Sequence, residues 1–437
     1  MNLGILLFLF IMFLIASLYK VYLAIPLFIG LVILSIYAIK KGHGLKSIGR
    51  WFKEGVKRIS TMMLVFMFIG ILIPSWMEAG TIPMLVYYGL NNIPAYGFII
   101  GSFILSGVLA MLLGTAFGVA GTVGLVLIIM ANVGNVPIAI TAGAIFSGAY
   151  LGDRNSPMST SAHLIGALTN TEIYENVKAM LKSSFVPLTV TVVLYALLSI
   201  KYPLREVNGE FLRQIPIRFD IGVIVFLPVI VLIVFMIFKI HIRWAMAASS
   251  VVAIIISLYN SQDLNLLINH IFWGYAETKN EILAPYFSSS GLYGMIKLSI
   301  TVLLSSTYAD FLKGLNMLRF LELKLEAIAI GGKRFKAMLI SAIFSASFGC
   351  TQTIAIILSH KLMEPMYKKE ENKDMMIDIE NSSVLLSVAV PWNTSSFVPM
   401  ALLGASLSYL PFAFFIYLVP IWHYIKKYNK LNKVFTK

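Results

Sequence analysis

The residues best suited to chemistry lie in one short polar stretch, residues 148–160, within a chain that is otherwise strongly apolar. The stretch holds an aspartate, an arginine, an asparagine, three hydroxyls, two glycines and a proline. Such polar groups are costly in an apolar medium unless a broken helix lines a cavity for them, and glycine and proline favour such a break. The stretch therefore predicts one half of an ion or solute site. Its candidate binding residues are Asp153, Arg154, Asn155, Ser156 and Ser159.

The composition is that of a membrane protein. Of 437 residues, 59% are hydrophobic and only 12% are charged, and the mean hydropathy is +0.85. A soluble domain carries roughly twice that charged fraction. Long apolar runs favour helices over the short alternating segments of a β-barrel, so we predict an all-α polytopic membrane protein with about ten to twelve membrane segments, inverted repeats and broken or re-entrant helices.

The net charge of +14 does not indicate nucleic-acid binding, because the basic residues lie in short loops between apolar runs. Such loops indicate positive-inside topology, which places the basic loop 40–58, the lysine-rich tail and both termini in the cytoplasm. The apolar run 3–18 lacks a basic leader and a cleavage site, so we interpret it as a first helix rather than a signal peptide. We expect one transporter domain in the cell membrane. It comprises leading helices 1–40, a first repeat half 41–200, a linker 201–220 and a second half 221–437.

The second half echoes the first. Residues 114–124 contain four glycines and two threonines, which indicates a broken or re-entrant segment, or else close helix packing. Residues 345–353 form a similar break, and Asn155-Ser156 resembles Asn393-Thr394 in that each pair lies beside a proline. Unless this short match is accidental, it predicts that the two Asn-hydroxyl pairs meet near the middle of the membrane. The further candidate binding residues are Thr115, Thr122, Thr351, Asn393 and Thr394.

Sodium is a hard cation that takes oxygen ligands. Asp153 supplies charge, and Asn155 and Asn393 supply neutral oxygens, so these three are the candidate sodium ligands. Away from water a carboxylate favours its proton, whereas a nearby cation favours the ionised form, so sodium and proton compete for one group. The alternatives are an ion pair between Asp153 and Arg154, and a plain interhelical hydrogen bond for Asn393. Secondary candidates, which helix ends and polar loops also explain, are Glu78, Asp310, Glu380 and Asn381.

At these residues the sequence resembles the NhaC-type sodium/proton antiporters of the larger ion-transporter superfamily. The matching segments are Gly80-Thr81-Ile82-Pro83 with Tyr87-Tyr88-Gly89-Leu90, Gly114-Thr115 with Gly121-Thr122, Ser147-Gly148-Ala149-Tyr150 through Gly152-Asp153 and Ser156-Pro157, and Pro391-Trp392-Asn393-Thr394. The resemblance implies an inverted-repeat transporter of sodium and protons with Asp153 in its site.

The sequence also departs from the family pattern. Thr160 stands where the family commonly has an aspartate, and Glu380-Asn381 replaces an acidic pair. Ala116 and Phe117 replace the usual hydroxyl and tryptophan. Fewer carboxylates leave fewer groups to exchange a proton for sodium, and some relatives move organic acids or amino acids.

The leading hypothesis is therefore a sodium/proton antiporter. The alternative is a sodium-coupled carrier of an amino acid or small carboxylate, with Arg154 or a helix N-terminus holding the carboxylate. An enzyme is disfavoured because the six histidines lack metal-ligand spacing and no GxSxG motif occurs. Paired breaks favour alternating access over a channel. We expect no cofactor beyond the sodium ion. The expected partners are the bilayer, sodium, protons and, for the alternative, a small organic anion or amino acid, and a homodimer is compatible with the sequence.

Overall fold

The structure is a computed structural model that describes residues 2–205, 209–219, 222–260, 263–317, 319–330 and 333–435. Parts of the predicted linker, residues 206–208 and 220, lie outside the described residues. Within the described ranges the chain is helical, with one isolated antiparallel bridge between Ala276 and Ser288. The helices are α1 (Asn2–Leu18), α2 (Ala24–Lys40), α3 (Leu45–Glu78), α4 (Thr81–Asn92), α5 (Phe98–Leu113), α6 (Ala116–Val119), α7 (Leu125–Val133), α8 (Ile138–Arg154), α9 (Thr160–Thr169), α10 (Ile173–Lys201), α11 (Gly209–Arg218), α12 (Leu227–Ile237), α13 (Ile242–Tyr259), α14 (Leu264–Trp273), α15 (Gly291–Gly314), α16 (Arg319–Ala329), α17 (Arg334–Gly349), α18 (Gln352–Met363), α19 (Asn372–Glu380), α20 (Ser383–Ala389), α21 (Thr394–Leu402) and α22 (Phe414–Phe435).

Many of these helices suit a bilayer. Among the described residues, five helices are long and apolar enough to cross a membrane, and up to eight if each bent helix pair counts as one span. The shorter apolar helices at the N-terminus, Gly4–Leu18 and Ala24–Lys40, add to these. The prediction of an all-α polytopic membrane protein is confirmed.

The bundle has two ends, which we name after a buried carboxylate at each. At the Glu78 end, α3 finishes and His270 of α14 contacts Glu78. At the Asp378 end, α19 meets the C-terminal helix α22 through Asp378 and His423. Most of the predicted basic loop 40–58 is helical and forms the start of α3, at the opposite end of that helix from Glu78, where Arg58 pairs with Asp310 near the C-terminus of α15.

Two helical hairpins enter the bundle from opposite ends. The two ends of the α5–α7 hairpin lie together beside the segment after α10, because Leu204 N donates to Ala95 O at 3.0 Å and the next residue donates to Gly134 O at 2.9 Å. This is the Glu78 end, since α7 also contacts α4, which begins just after Glu78. The hairpin of α17 and α18 starts and finishes at the Asp378 end, where Arg334 Nη1 donates to Met366 O at 3.3 Å. Broken helices are therefore present in both halves, and the two helices of the first hairpin are each long enough to cross a membrane.

The tips of both hairpins have the same backbone geometry. Gly114 has φ +63° and Thr115 follows at φ −158°, ψ 130°. Cys350 has φ +54° and Thr351 follows at φ −136°, ψ 149°. In each hairpin a left-handed residue ends one helix and an extended threonine begins the next, which is a common way to terminate one helix and cap another.

A second break in each half also matches. Ser159 (φ −70°, ψ 134°) precedes α9, and Asn393 (φ −74°, ψ 141°) precedes α21. A proline lies two residues before each, at Pro157 and Pro391. By its place after a proline and before a helix, Ser159 corresponds to Asn393, whereas the dipeptide match pairs Asn393 with Asn155.

Close helix packing holds the first half together. A Cβ on Gly148 would collide with the Phe103 backbone oxygen, and a Cβ on Gly152 with the Gly107 backbone oxygen. Small residues four apart on α8 thus let α5 approach at backbone distance, as membrane helices commonly do. This contact brings the end of α8, with Asp153, against the end of α5.

Candidate functional site

Asp153 lies in the last turn of α8, and its residue is only 6% exposed. Its Oδ1 accepts a hydrogen bond from Ser159 Oγ at 2.9 Å, and Ser159 Oγ lies 2.8 Å from Ser161 Oγ. The hydroxyl comes from the N-cap of α9, so the break at Pro157 bends the chain back and places Ser159 beside the carboxylate. A buried carboxylate needs such donors, because burial without them is costly.

Asn155 and Ser156 form the turn between α8 and α9. Asn155 Nδ2 donates to Leu151 O at 2.8 Å, while its Oδ1 is buried without a hydrogen-bond partner. Ser156 Oγ donates to Met111 O at 2.7 Å and accepts from Met158 N at 3.1 Å. This turn therefore packs against the end of α5, and one buried oxygen, Asn155 Oδ1, stays available for a cation.

Arg154 is fully buried and reaches into the second half of the chain. Its Nη2 donates to Asn381 Oδ1 at 2.5 Å and its Nε to Glu380 O at 3.2 Å. Two hydroxyls of α10 also accept hydrogen bonds from the guanidinium, Ser184 Oγ from Nη1 at 2.9 Å and Ser183 Oγ from Nη2 at 3.2 Å. Protein acceptors thus occupy the guanidinium fork in this conformation, so the fork is not available to a substrate carboxylate.

The charge of Arg154 is balanced by Glu380 rather than by its chain neighbour. Arg154 Nε lies 3.8 Å from Glu380 Oε2, and both side chains are at most 1% exposed. Among the ion pairs of the described ranges, none includes Asp153. Glu380 Oε2 itself has no hydrogen-bond partner. Asp153 is therefore a buried acid whose charge the protein does not pair off.

The corresponding break of the second half is also buried. Asn393 Oδ1 accepts from Ser395 N at 3.0 Å, and its Nδ2 donates to Ala346 O at 2.8 Å. Thr394 N donates to Cys350 O at 2.8 Å, and Thr351 Oγ1 caps α18 by accepting from Ile354 N at 3.3 Å. The two breaks of this half contact each other, as Met111 and Ser156 do in the first half.

The halves meet through contacts that the sequence did not reveal. Tyr150 Oη donates to Ser395 O at 2.7 Å, joining α8 to α21 beside the second break. Arg154 joins the end of α8 to the end of α19. Among the hydrogen bonds of the described residues, none joins residues 155–156 directly to 393–394. The sequence feature that could have indicated a contact with Arg154 was the hydroxyl pair Ser183-Ser184 at the edge of a long apolar span.

The other sequence candidates have structural surroundings of their own. Thr122 Oγ1 donates back to Gly118 O at 2.6 Å within a π-helical turn between α6 and α7. Thr115 is half-buried at the hairpin tip. Glu78 Oε2 lies 2.7 Å from His270 Nδ1, and Asp310 Oδ1 accepts from Arg58 Nη2 at 2.9 Å. The last two carboxylates lie towards the ends of the bundle, away from the breaks.

Four buried oxygens in or near the breaks have no hydrogen-bond partner: Asn155 Oδ1 in the α8–α9 turn, Glu380 Oε2 at the end of α19, Ser383 Oγ at the start of α20, and Ser345 Oγ in α17. Carboxylate, amide and hydroxyl oxygens are the ligands of a hard monovalent cation, so the donor set fits sodium. In the described part of the chain no three His, Cys, Asp or Glu side chains are grouped so that they hold a metal ion.

Comparison with known proteins decides the family. A family model described as the Na+/H+ antiporter family matches residues 148–425. The chain belongs to this family. The predicted resemblance to NhaC-type antiporters is confirmed by the Na(+)/H(+) antiporter NhaC of Bacillus subtilis (strain 168), which is 27% identical over 91% of this chain and 90% of the relative.

Other antiporters are similar to this chain over comparable lengths. The Malate-2H(+)/Na(+)-lactate antiporter of Bacillus subtilis (strain 168) is 28% identical over 90% of this chain and 87% of its own length. The Arginine/ornithine antiporter ArcD of Halobacterium salinarum is 24% identical over 84% of this chain and 77% of its own length. The relatives that this chain resembles thus include antiporters named for organic substrates, and the family to which the chain belongs is one of transporters.

Proposed function

We propose that this protein exchanges sodium for protons across the cell membrane, and that the Asp153 carboxylate binds the two ions in alternation. The observation that carries the proposal is a buried acid without an ion-pair partner in the described structure, placed where α8 breaks. Such an acid is neutral with a proton and equally neutralised by a sodium ion, so one ion must leave before the other binds.

The Arg154–Glu380 pair supports this role. If Arg154 paired with Asp153, a sodium ion would have to displace a guanidinium. Because Glu380 at 3.8 Å balances Arg154, the three buried charges sum to one negative charge when all are ionised. One sodium ion or one proton then makes the site neutral, which is the state best suited to crossing a low-dielectric interior.

The paired breaks support alternating access. Each half contributes one hairpin and one broken helix, and the hairpins enter from opposite ends of the bundle. Discontinuous helices in two oppositely oriented halves, with the site between them, are typical of secondary transporters. We assign the halves to residues 41–200 and 221–437. We also place the Asp378 end and both termini in the cytoplasm, because the basic loop 40–58 lies at that end.

The test is sodium-driven proton movement in proteoliposomes, read with a pH-sensitive dye trapped in the vesicles. We expect Asp153→Asn to abolish the response, because an amide neither releases a proton nor offers a charge to sodium. The matched control is Asp374→Asn, which makes the same change at an exposed position of α19. Both variants must elute as monodisperse protein. Wild-type exchange in the Asp153 variant would remove this residue from the mechanism.

A second candidate is exchange or cotransport of a small organic anion or amino acid with sodium or protons. The observation in its favour is the overall similarity to a relative named a malate/lactate antiporter and to one named an arginine/ornithine antiporter. The same vesicles distinguish the two functions when sodium gradients are imposed with and without L-lactate, L-malate or L-arginine. A pH response that appears only with an organic substrate favours the second function.

A further inference from the structure

A cavity of about 630 Å³ opens between the α1–α2 turn, α15 and the segment after α21. Its volume lies in the range of small-molecule sites, roughly 300–1,000 Å³. Inside, it reaches Pro391 and Phe397, which flank the break at Asn393. We call this cavity the Lys20–Lys297 vestibule, after the two lysines that line it.

The charge of the vestibule does not suit sodium. Among the described residues that line it, Lys20 and Lys297 are charged and no aspartate or glutamate is present. A cleft lined by one sign of charge beside low-dielectric walls raises the local concentration of the opposite sign. The vestibule therefore repels the cation that the Asp153 site takes, and attracts anions to the neighbourhood of the second break.

Lys297 is an unusual residue for its position. It lies about two turns inside α15, a helix long and apolar enough to cross a membrane. A cation within such a span carries a cost and indicates a function by default. Its Nζ lies 4.3 Å from the Tyr293 ring centroid, and Tyr22 Oη donates to the Lys297 backbone oxygen at 2.6 Å. The α1–α2 turn is thereby tied to α15 beside this lysine.

Lys20 is held at the rim by its backbone. It adopts φ +55°, and the next residue, Val21, donates from its backbone N to Ala16 O at 2.9 Å, closing the end of α1. Ser17, one turn earlier, lines the vestibule, is 93% buried, and its Oγ has no hydrogen-bond partner. A hydroxyl donor without a partner and two ammonium groups are what a carboxylate needs.

We propose that the Lys20–Lys297 vestibule binds a small water-soluble organic carboxylate. Each ammonium pairs with a carboxylate oxygen, Ser17 donates a hydrogen bond, and the apolar wall at Phe397 and Met400 holds the carbon skeleton. The inference rests on the second candidate function, for which it names a substrate class and a binding place. Binding is measured without transport, so each proposal fails on its own experiment.

The vestibule is probed by cysteine labelling. Cys350 is the only cysteine, so Cys350→Gly with Ser408→Cys places one thiol at an exposed position in the lining. The reagents are an anionic sulfonatoethyl and a cationic trimethylammonium-ethyl methanethiosulfonate. In Lys20→Asn plus Lys297→Gln, we expect the anionic-to-cationic rate ratio to fall about ten-fold, because two lysines against an apolar wall set a potential of a few kT.

The control variants make the same changes elsewhere. Lys239→Asn replaces an exposed lysine with the same left-handed backbone, φ +57°, and Lys313→Gln changes a lysine at the far end of α15. Asparagine suits the left-handed region, so the turn at residue 20 is kept. We expect both controls to label like the parent protein. An unchanged ratio in the vestibule variants would overturn the proposal.

Protection identifies the ligand. In neutral detergent, L-lactate or L-malate should slow labelling of the Ser408→Cys protein, and the vestibule variants should lose this protection. Sodium chloride at equal ionic strength should give none. Two results would overturn the proposal: protection that persists without the two lysines, and protection by phosphatidylglycerol alone, which would assign the vestibule to a lipid headgroup. Asp153→Asn should retain carboxylate protection, which separates this result from the exchange assay.

Discussion

Replacing Glu380 by glutamine tests whether the buried pair organises the site. The change keeps the shape of the side chain and the backbone oxygen that Arg154 uses, but removes the balancing charge. At the observed Nε–Oε2 separation of 3.8 Å, and with an effective dielectric constant near 20, the Coulomb attraction is about 4 kcal/mol. Breaking a buried pair by removing one partner costs roughly 3–5 kcal/mol by experience with other proteins. We therefore expect Glu380→Gln to lose about that much free energy of unfolding.

The measurement is unfolding in mixed micelles followed by tryptophan fluorescence. The control is Lys373→Gln, which breaks the Lys373–Glu175 pair, whose side chains are 74% and 58% exposed. An exposed pair is worth about 0–1 kcal/mol, so that variant should unfold like the parent protein. The double variant Arg154→Gln with Glu380→Gln should lose less than the sum of the single changes, because neither member of the pair is left without the other. If Glu380→Gln is as stable as the control, the pairing assigned to Arg154 is refuted.

The other predictions follow the same logic. Gly114→Ala would place a Cβ 2.7 Å from Met158 O at φ +63°, so it should lower the free energy of unfolding by about 3–5 kcal/mol. Its control is Gly404→Ala, at φ +60° with open space around it, which should lower it by only about 1–2 kcal/mol in the same unfolding assay. Cys350→Gly relieves a left-handed residue at the cost of chain entropy, so exchange activity should persist and stability should change by less than about 1 kcal/mol. Asp378→Asn weakens the hydrogen bonds that Asp378 accepts from the α18–α19 connection and from α22, so amide hydrogen exchange in α22 should accelerate while the rest of the bundle keeps its protection.

Local chemistry in the sequence was enough to predict the breaks. A Gly-Thr pair inside an apolar run predicts a helix end, because glycine adopts the left-handed region and threonine caps the following helix. The same reasoning missed Cys350, since a cysteine gives no sign of positive φ. Only the following Thr351, in the position of Thr115, pointed to the equivalence of the two hairpin tips.

The partner of Arg154 was beyond sequence reasoning for a geometric reason. Successive residues on a helix point about 100° apart, so Asp153 and Arg154 face different neighbours although they are adjacent in the chain. Glu380 lies 226 residues away, and no periodicity reports a contact between halves. The dipeptide match of Asn155 with Asn393 is limited for a related reason, since it also carries no information on geometry. It compared residue types, whereas the conserved geometry is the N-cap, which falls on Ser159.

The residues that precede the two N-caps differ in their ability to titrate. Asp153 lies six residues before Ser159, and the residue six positions before Asn393 is Ser387, whose Oγ is 3.5 Å from Ser395 Oγ. The two halves therefore place a carboxylate and a hydroxyl at equivalent positions beside their breaks. A hydroxyl does not titrate at physiological pH, so the second half adds an oxygen ligand without adding a charge. Under the proposed function, this asymmetry supports one exchangeable cation for each Asp153, because only the first half carries a titratable group beside its break.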